Sequence, residues 1–168
     1  YRAAVGAGMI TPELAMGIVH QRSRDNARTP VQWNAAPNGG FTTGTPWIKV
    51  NPNYTEINVE QALADPDSIF RYYQRLIQLR HEHPVMVYGE YDILLAGHPQ
   101  IYAFTRALDA ERLLVILNWS GTEADFALPP EIETQGQELL IANYGVDAGD
   151  DLRALMLRPW EARVYRLR

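Results

Sequence analysis

Arg22-Ser23-Arg24-Asp25-Asn26-Ala27-Arg28-Thr29-Pro30-Val31-Gln32-Trp33 opens a polar stretch. It continues through Gly39-Gly40-Phe41-Thr42-Thr43-Gly44-Thr45-Pro46-Trp47 to Val50-Asn51-Pro52-Asn53-Tyr54. The stretch has almost no apolar periodicity, and its glycines and prolines fall where turns form. Loops of this length are uncommon inside compact domains and are usually functional. Guanidinium, carboxamide, carboxylate and indole groups together suit a sugar. A guanidinium presents a rigid fork of donors to fixed hydroxyls, and a neighbouring carboxylate orients it.

The segments around this loop read in two different periods. Upstream, Thr11-Pro12-Glu13 predicts a helix start: Thr11 caps, Pro12 suits the first turn, and Glu13 favours the positive end. Val59 to Leu63 predicts a short helical turn. A longer helix is expected from Asp65-Pro66 to His83-Pro84, with Ile69, Tyr72, Tyr73, Leu76 and Leu79 on one face. From there the pattern changes to period two. Strands are expected at Val87–Leu94, Gln100–Arg106, Arg112–Asn118, Ala124–Ala127, Gln137–Asn143, Leu155–Leu157 and Ala162–Arg168, with turn residues between them. Leu113-Leu114-Val115-Ile116-Leu117 is nearly all apolar and is expected to be a central strand covered on both faces. Short strands at this spacing predict an antiparallel β-sandwich.

Composition narrows the function classes. The 168 residues carry a net charge of −5 and include no basic run, which disfavours nucleic acid. The absence of cysteine excludes disulfides and thiolate metal sites, and it fits a reducing, cytoplasmic setting. No apolar run approaches a membrane span, and Tyr1 to Gly8 lack the charged start and apolar core of a signal peptide. His81 and His83, two apart, point in different directions and predict no metal site. Asp147, Asp150 and Asp151 read as a solvated acidic loop.

The polar stretch resembles, almost residue for residue, a loop of the α-glucosidase and oligo-1,6-glucosidase branch of the α-amylase superfamily. The resemblance rests on Ser23-Arg24-Asp25-Asn26-Ala27-Arg28-Thr29-Pro30-Val31-Gln32-Trp33, with Val31 where Met is commoner, and on Gly40-Phe41-Thr42, Pro46-Trp47 and Val50-Asn51-Pro52-Asn53-Tyr54. Asp65–Tyr91 matches well. The β region matches weakly, except at 100–106, 117–120 and 159–165. The resemblance implies the last loop (1–64) and last helix (65–83) of a (β/α)8 barrel. An antiparallel β-sandwich C-terminal domain follows. The expected fold is therefore mainly β with an α-helical N-terminal part, divided as 1–85 and 86–168. It also implies that the chain is only part of such an enzyme.

The functional expectations come from the same resemblance. The family's Arg in this motif, here Arg24, reaches the hydroxyls of the non-reducing-end glucose, which makes such enzymes exo-acting. Its alternative role is to brace the loop. Asp25 and Arg28 are placed either at the rim of the substrate site or in a purely structural ion pair. Asn26 is expected to cap or turn the loop, Gln32 and Trp33 to pack, and Trp47 to stack on a sugar or plug the barrel wall.

Retaining glycoside hydrolysis needs two carboxyl groups roughly 5–5.5 Å apart, and none of the family's motifs for them occurs here. The chain alone is expected to be inactive, without cofactor or metal. Its expected partner is an α-gluco-oligosaccharide in the full-length enzyme, and the isolated chain is expected either to self-associate through its bare helix face or to leave residues 1–64 loosely held. Two other readings remain open. One is a non-catalytic scaffold of the same ancestry. The other is a carbohydrate-binding module, which requires exposed aromatics on the β domain. Aromatics at alternating strand positions, Trp119 and Trp160 included, are expected in the core instead.

Overall fold

The computed structural model describes residues 1–168 apart from Asn26, so the expectation for Asn26 lies outside the described residues. The chain divides into two compact units, Tyr1–Arg71 and Tyr72–Arg168. The first holds α1 (Arg2–Gly6), α2 (Pro12–Arg22) and α3 (Val59–Ala64), with three 3₁₀ turns between α2 and α3. Thr11 caps α2 as its sequence predicts: its hydroxyl accepts the Leu14 N–H at 3.2 Å. Asn58 caps α3 in the same way through Gln61 N–H, at 3.0 Å.

The next helix starts later than Asp65-Pro66 suggests. It is α4, Ile69–Glu82. Asp65 spends its carboxylate on Asp67 N–H at 2.9 Å, which closes a local Asx turn. The Ser68 hydroxyl takes the Arg71 N–H at 3.3 Å and so does the capping. Pro84 then opens a further short helix, α5 (Val85–Tyr88), which takes the first two residues of the strand expected at Val87–Leu94. The residue after α5 is Gly89 for a steric reason: a Cβ there would lie 2.5 Å from the Val85 carbonyl oxygen.

The second unit is the expected antiparallel β structure. Its strands are β1 (Glu90–Leu94), β2 (Ile101–Leu108), β3 (Glu111–Asn118), β4 (Ala124–Phe126), β5 (Gln137–Ala142), β6 (Leu155–Leu157) and β7 (Ala162–Leu167). Five of them form one sheet in the order β1-β2-β3-β7-β5, and β4 pairs with β6 in a second, two-stranded sheet. The core fills the space against one face of the large sheet. Ile101 and Ala103 of β2, Leu114 and Ile116 of β3, and Tyr165 and Leu167 of β7 meet Phe126, Leu128, Leu155 and Leu157 there. Each fully buried aliphatic side chain contributes roughly 1.5–3 kcal/mol. Leu113, on the opposite face of β3, is buried as well. Strand β3 is therefore central, as its unbroken apolar run predicts, but its second face is fully covered only at Leu113, with Val115 and Leu117 half-buried.

Candidate functional site

The Arg24–Arg28 segment leaves α2 through a turn that its own residues build. Ser23 accepts the Asp25 N–H on its hydroxyl at 3.2 Å. The backbone then tightens into a 3₁₀ turn over Asp25–Ala27, closed by Ala27 N–H to Arg24 O (3.2 Å) and Arg28 N–H to Asp25 O (3.0 Å). Arg24, Asp25 and Arg28 are all exposed. Residues three apart eclipse in a 3₁₀ turn, yet none of the ion pairs among the described residues joins Asp25 to Arg28 or engages Arg24. Of the two roles expected for Asp25 and Arg28, the ion-pair brace is not formed among the described residues. An exposed pair gains little Coulomb energy to offset the ordering of two side chains; backbone bonds and the Ser23 hydroxyl hold this turn.

Beyond it, the loop is fixed by carboxamides. Gln32 is the clip: its side-chain amide donates to Asn53 Oδ1 at 3.1 Å and to the Ile57 carbonyl. Its backbone carbonyl accepts Val59 N–H at 2.9 Å, and the Trp33 carbonyl accepts Glu60 N–H at 3.0 Å. Asn38 adopts a left-handed conformation (φ 56°) and donates to the carbonyls of Thr42 and Gly44, at 3.1 and 3.0 Å. Gly40 (φ +66°) also lies close to the Asn34 amide, with no room for a Cβ. The packing role expected of Gln32 is thus a hydrogen-bonding role. Between the arms of the loop lies an open cavity of about 520 Å³ with Asn38, Trp47, Lys49 and Tyr54 in its walls. Trp47 is 99% exposed in this structure, so it plugs nothing within the described residues.

The β domain contains a polar centre that its sequence does not announce. Glu161 is 1% exposed and accepts donors on both oxygens. Arg163 Nε reaches Oε1 at 2.7 Å, while Arg158 N–H and Nε reach Oε2 at 2.8 and 3.0 Å. Burial by itself would push this carboxyl up. The bonds from the Arg158 side chain, the Arg158 backbone and Arg163 outweigh it and hold Glu161 below the usual carboxylate range. Arg163 also donates to Asp150 Oδ2 at 2.6 Å and to the Tyr165 hydroxyl at 3.0 Å. Burial would lower the Arg163 pKa, but these partners raise it. Asp150 therefore does not belong to a purely solvated acidic loop: it anchors a buried arginine.

Two expectations about aromatics are also corrected. Tyr165 is fully buried, but Trp119 is 64% and Trp160 56% exposed. Both stand just outside the ladder, where turns and not strand alternation set their direction.

The comparisons with known proteins match this geometry. Residues 8–89 match the family model of the α-amylase catalytic domain, and residues 101–164 that of the α-amylase SusG C-terminal domain. The oligo-1,6-glucosidase of Parageobacillus thermoglucosidasius is 54% identical over 157 residues, which cover 94% of this chain and 28% of that one. The trehalose-6-phosphate hydrolase of Bacillus subtilis (strain 168) is 46% identical, over 99% of this chain and 30% of that one. The crystal structure of Bacillus licheniformis trehalose-6-phosphate hydrolase superposes with a TM-score of 0.84 at 43% identity, covering 99% of this chain and 30% of that one. Isomaltulose synthase from Klebsiella sp. LX3 gives 0.83 at 41% identity, with coverage of 99% and 30%.

A loop-and-helix segment with catalytic-domain likeness is thus followed by an antiparallel β domain, in the order of the two family models. The chain belongs to the α-amylase superfamily, in the branch that holds the oligo-1,6-glucosidases. It spans less than a third of the length of the relatives it matches. Among the described residues, no helix is long and apolar enough to cross a membrane.

Proposed function

We infer that this chain is the C-terminal portion of a retaining, exo-acting α-glucosidase. That enzyme removes terminal α-linked glucose, preferentially α-1,6-linked, from oligosaccharides in the cytoplasm. The observation that carries this reading is the turn at 24–28. It presents Arg24, Asp25 and Arg28 outward on a backbone closed by its own hydrogen bonds, and no ion pair among the described residues consumes Arg24. A guanidinium that no described residue pairs has its donors available for sugar hydroxyls. Arg24 grips the non-reducing-end glucose, with Asp25 and Arg28 at the rim. The names of the relatives, oligo-1,6-glucosidases among them, support the substrate class.

In this reading residues 1–85 complete the catalytic barrel and 86–168 form the C-terminal domain. The two catalytic carboxyl groups are supplied by another part of the enzyme, so the chain alone does not turn over. Its exposed α4 stripe of Ile69, Tyr73 and Ile77 is where the isolated chain self-associates.

The test is glucose release from isomaltose and maltose, by this chain and by the same chain joined to the remainder of a barrel. Activity only in the longer protein, lost on Arg24→Ala with kcat/KM down about a hundredfold, is the expected result. Turnover by the 168-residue chain, or an indifferent Arg24→Ala, would overturn the reading.

A further inference from the structure

The 3₁₀ turn Pro37–Gly40 of the polar loop holds three successive residues in the left-handed region: Asn38 at φ 56°, Gly39 at 64° and Gly40 at 66°. Glycine visits this region freely, and asparagine is one of the few other residues that do so routinely. Space restricts the turn further. A Cβ on Gly39 would meet Gln32 Cα at 3.3 Å, and one on Gly40 would meet Asn34 Oδ1 at 2.5 Å. The turn thus selects asparagine followed by glycine, and Asn38-Gly39 is the only such pair in the chain.

The same pair is chemically labile. Glycine has no Cβ to keep its backbone nitrogen away from the side-chain carbonyl carbon of the residue before it. When the Gly39 N–H gives its proton to solvent base, the nitrogen can bond to Asn38 Cγ. The side-chain nitrogen leaves as ammonia, and a succinimide ring remains. Water then opens the ring at one of its two carbonyl carbons. One product is aspartate at position 38. The other is isoaspartate, in which the main chain runs through the former side chain. Water is the only co-reactant.

The folded turn restrains both reacting groups. Gly39 N–H donates to Ala36 O at 2.8 Å, which holds the proton that must leave. The Asn38 side-chain nitrogen donates to Thr42 O at 3.1 Å and to Gly44 O at 3.0 Å, which fixes the carboxamide. Gly39 O accepts Trp33 N–H and Asn34 N–H at 2.7 and 3.2 Å, and Gly39 is buried. Ring closure requires the Gly39 N–H and carboxamide bonds to open together. Its rate therefore follows the population of the locally opened loop.

The product cannot close the turn again. An aspartate side chain is ionised at neutral pH and only accepts hydrogen bonds. Where the amide gave two N–H bonds, a carboxylate would face the carbonyl oxygens of Thr42 and Gly44, and both of these lose a donor. Isoaspartate adds a carbon to the main chain inside a run of left-handed residues. Either product removes the latch from 38 to 42 and 44. With it goes one wall of the open cavity that Asn38 shares with Trp47, Lys49 and Tyr54.

We propose that Asn38 is a spontaneous modification site: its deamidation through a succinimide, held back by the closed turn, irreversibly unfastens the loop that carries Trp47. This rests on the turn and not on the α-glucosidase reading.

The test follows peptide masses of the 168-residue chain incubated at mildly alkaline pH, both folded and in urea. In urea, the peptide holding Asn38 is expected to gain one mass unit before any peptide holding another asparagine, as a mixture of aspartate and isoaspartate. In the folded chain the same peptide converts at least about tenfold more slowly. Gln32→Ala, which removes the clip to Asn53, speeds conversion of the folded chain and leaves the rate in urea unchanged. Converted chain, separated by its added charge, is cleaved faster between residues 33 and 57 than unconverted chain. Asn38→Asp, which carries the new charge on an ordinary main chain, is cleaved faster too, with its circular dichroism spectrum unchanged.

Earlier conversion of another asparagine in urea would overturn the proposal. Equal rates folded and in urea, or a folded rate indifferent to Gln32→Ala, would overturn the restraint by the turn. Converted chain cleaved no faster than unconverted chain would overturn the unfastening, whatever the fold of Asn38→Asp.

Discussion

Replacing Glu161 by Gln tests the polar centre of the β domain at its least forgiving point. The side chain is fully buried, and each carboxylate oxygen accepts N–H donors: Arg163 Nε on one, Arg158 N and Nε on the other. A glutamine keeps the shape but has one NH₂. Whichever way the amide turns, that NH₂ faces a donor, and the Arg163 guanidinium loses its buried carboxylate partner. Disrupting a buried, hydrogen-bonded ion pair costs about 3–5 kcal/mol. For a chain of this size that lowers Tm by about 10 °C.

The pH dependence has a definite sign. The folded-state pKa of Glu161 is depressed, so its contribution is fully present above the unfolded carboxylate pKa. It is lost as pH falls through the folded value. Wild-type chain should therefore lose stability on acidification below the ordinary carboxylate range, and Glu161→Gln should be less sensitive there. The gap between them narrows towards acid. Calorimetric Tm measured across that range reads both quantities. A Tm near neutrality within about 2 °C of wild type, or a gap that stays constant down to low pH, would refute the argument.

Other substitutions probe the loop and the bare helix face. Gln32→Ala removes the clip to Asn53 and Ile57; unmaking these bonds costs about 1–3 kcal/mol. Limited proteolysis between residues 33 and 57 should be faster, and an unchanged cleavage rate would contradict the clip. Gly40→Ala places a methyl 2.5 Å from Asn34 Oδ1 at a positive φ. It should destabilise the loop by about 1–3 kcal/mol, visible as accelerated amide exchange at Trp33 and Asn34, whose N–H groups both donate to Gly39 O. Ile77→Glu, at the C-terminal end of the exposed Ile69–Tyr73–Ile77 stripe, should reduce concentration-dependent self-association in sedimentation equilibrium. Equal association of variant and wild type would place the contact elsewhere.

The fold was readable wherever a residue pattern meets a single physical demand. The unbroken Leu113–Leu117 run has no polar side chain to present to water, and it became the central strand. Thr11-Pro12-Glu13 satisfies a helix start by local bonds alone, and α2 begins there. Errors arose where two local solutions compete. Asp65 and Ser68 are both capping residues, and only the three-dimensional course of the turn decides that Ser68 caps α4. Val85–Tyr88 is apolar at every position except its tyrosine rim, which fits a strand or a helix. Pro84 before it and the close approach at Gly89 settle it as helix.

The candidate site divides in the same way. Arg24, Asp25 and Arg28 were found through a motif, and their exposure agrees with a ligand role. Trp119 and Trp160 were misplaced because the ladder's alternation was carried past its end into turn residues, where it no longer holds. Asp150 and Arg163 are thirteen positions apart, and no local spacing rule connects such a pair.

The sheet order β1-β2-β3-β7-β5 has a consequence for the order of synthesis on the ribosome. β1, β2 and β3 follow one another as a meander and can pair as soon as they emerge. The free edge of β3, one of the most apolar segments of the chain, then waits until residues 162–167 appear. β5 has no place in this sheet until the same moment, because its neighbour is β7. Nascent chains stalled before residue 162 thus expose an unpaired, hydrophobic strand, which is the hazard that promotes aggregation. The final strand acts as a keystone, so shortening it should affect the yield of soluble protein more than its mere six residues suggest.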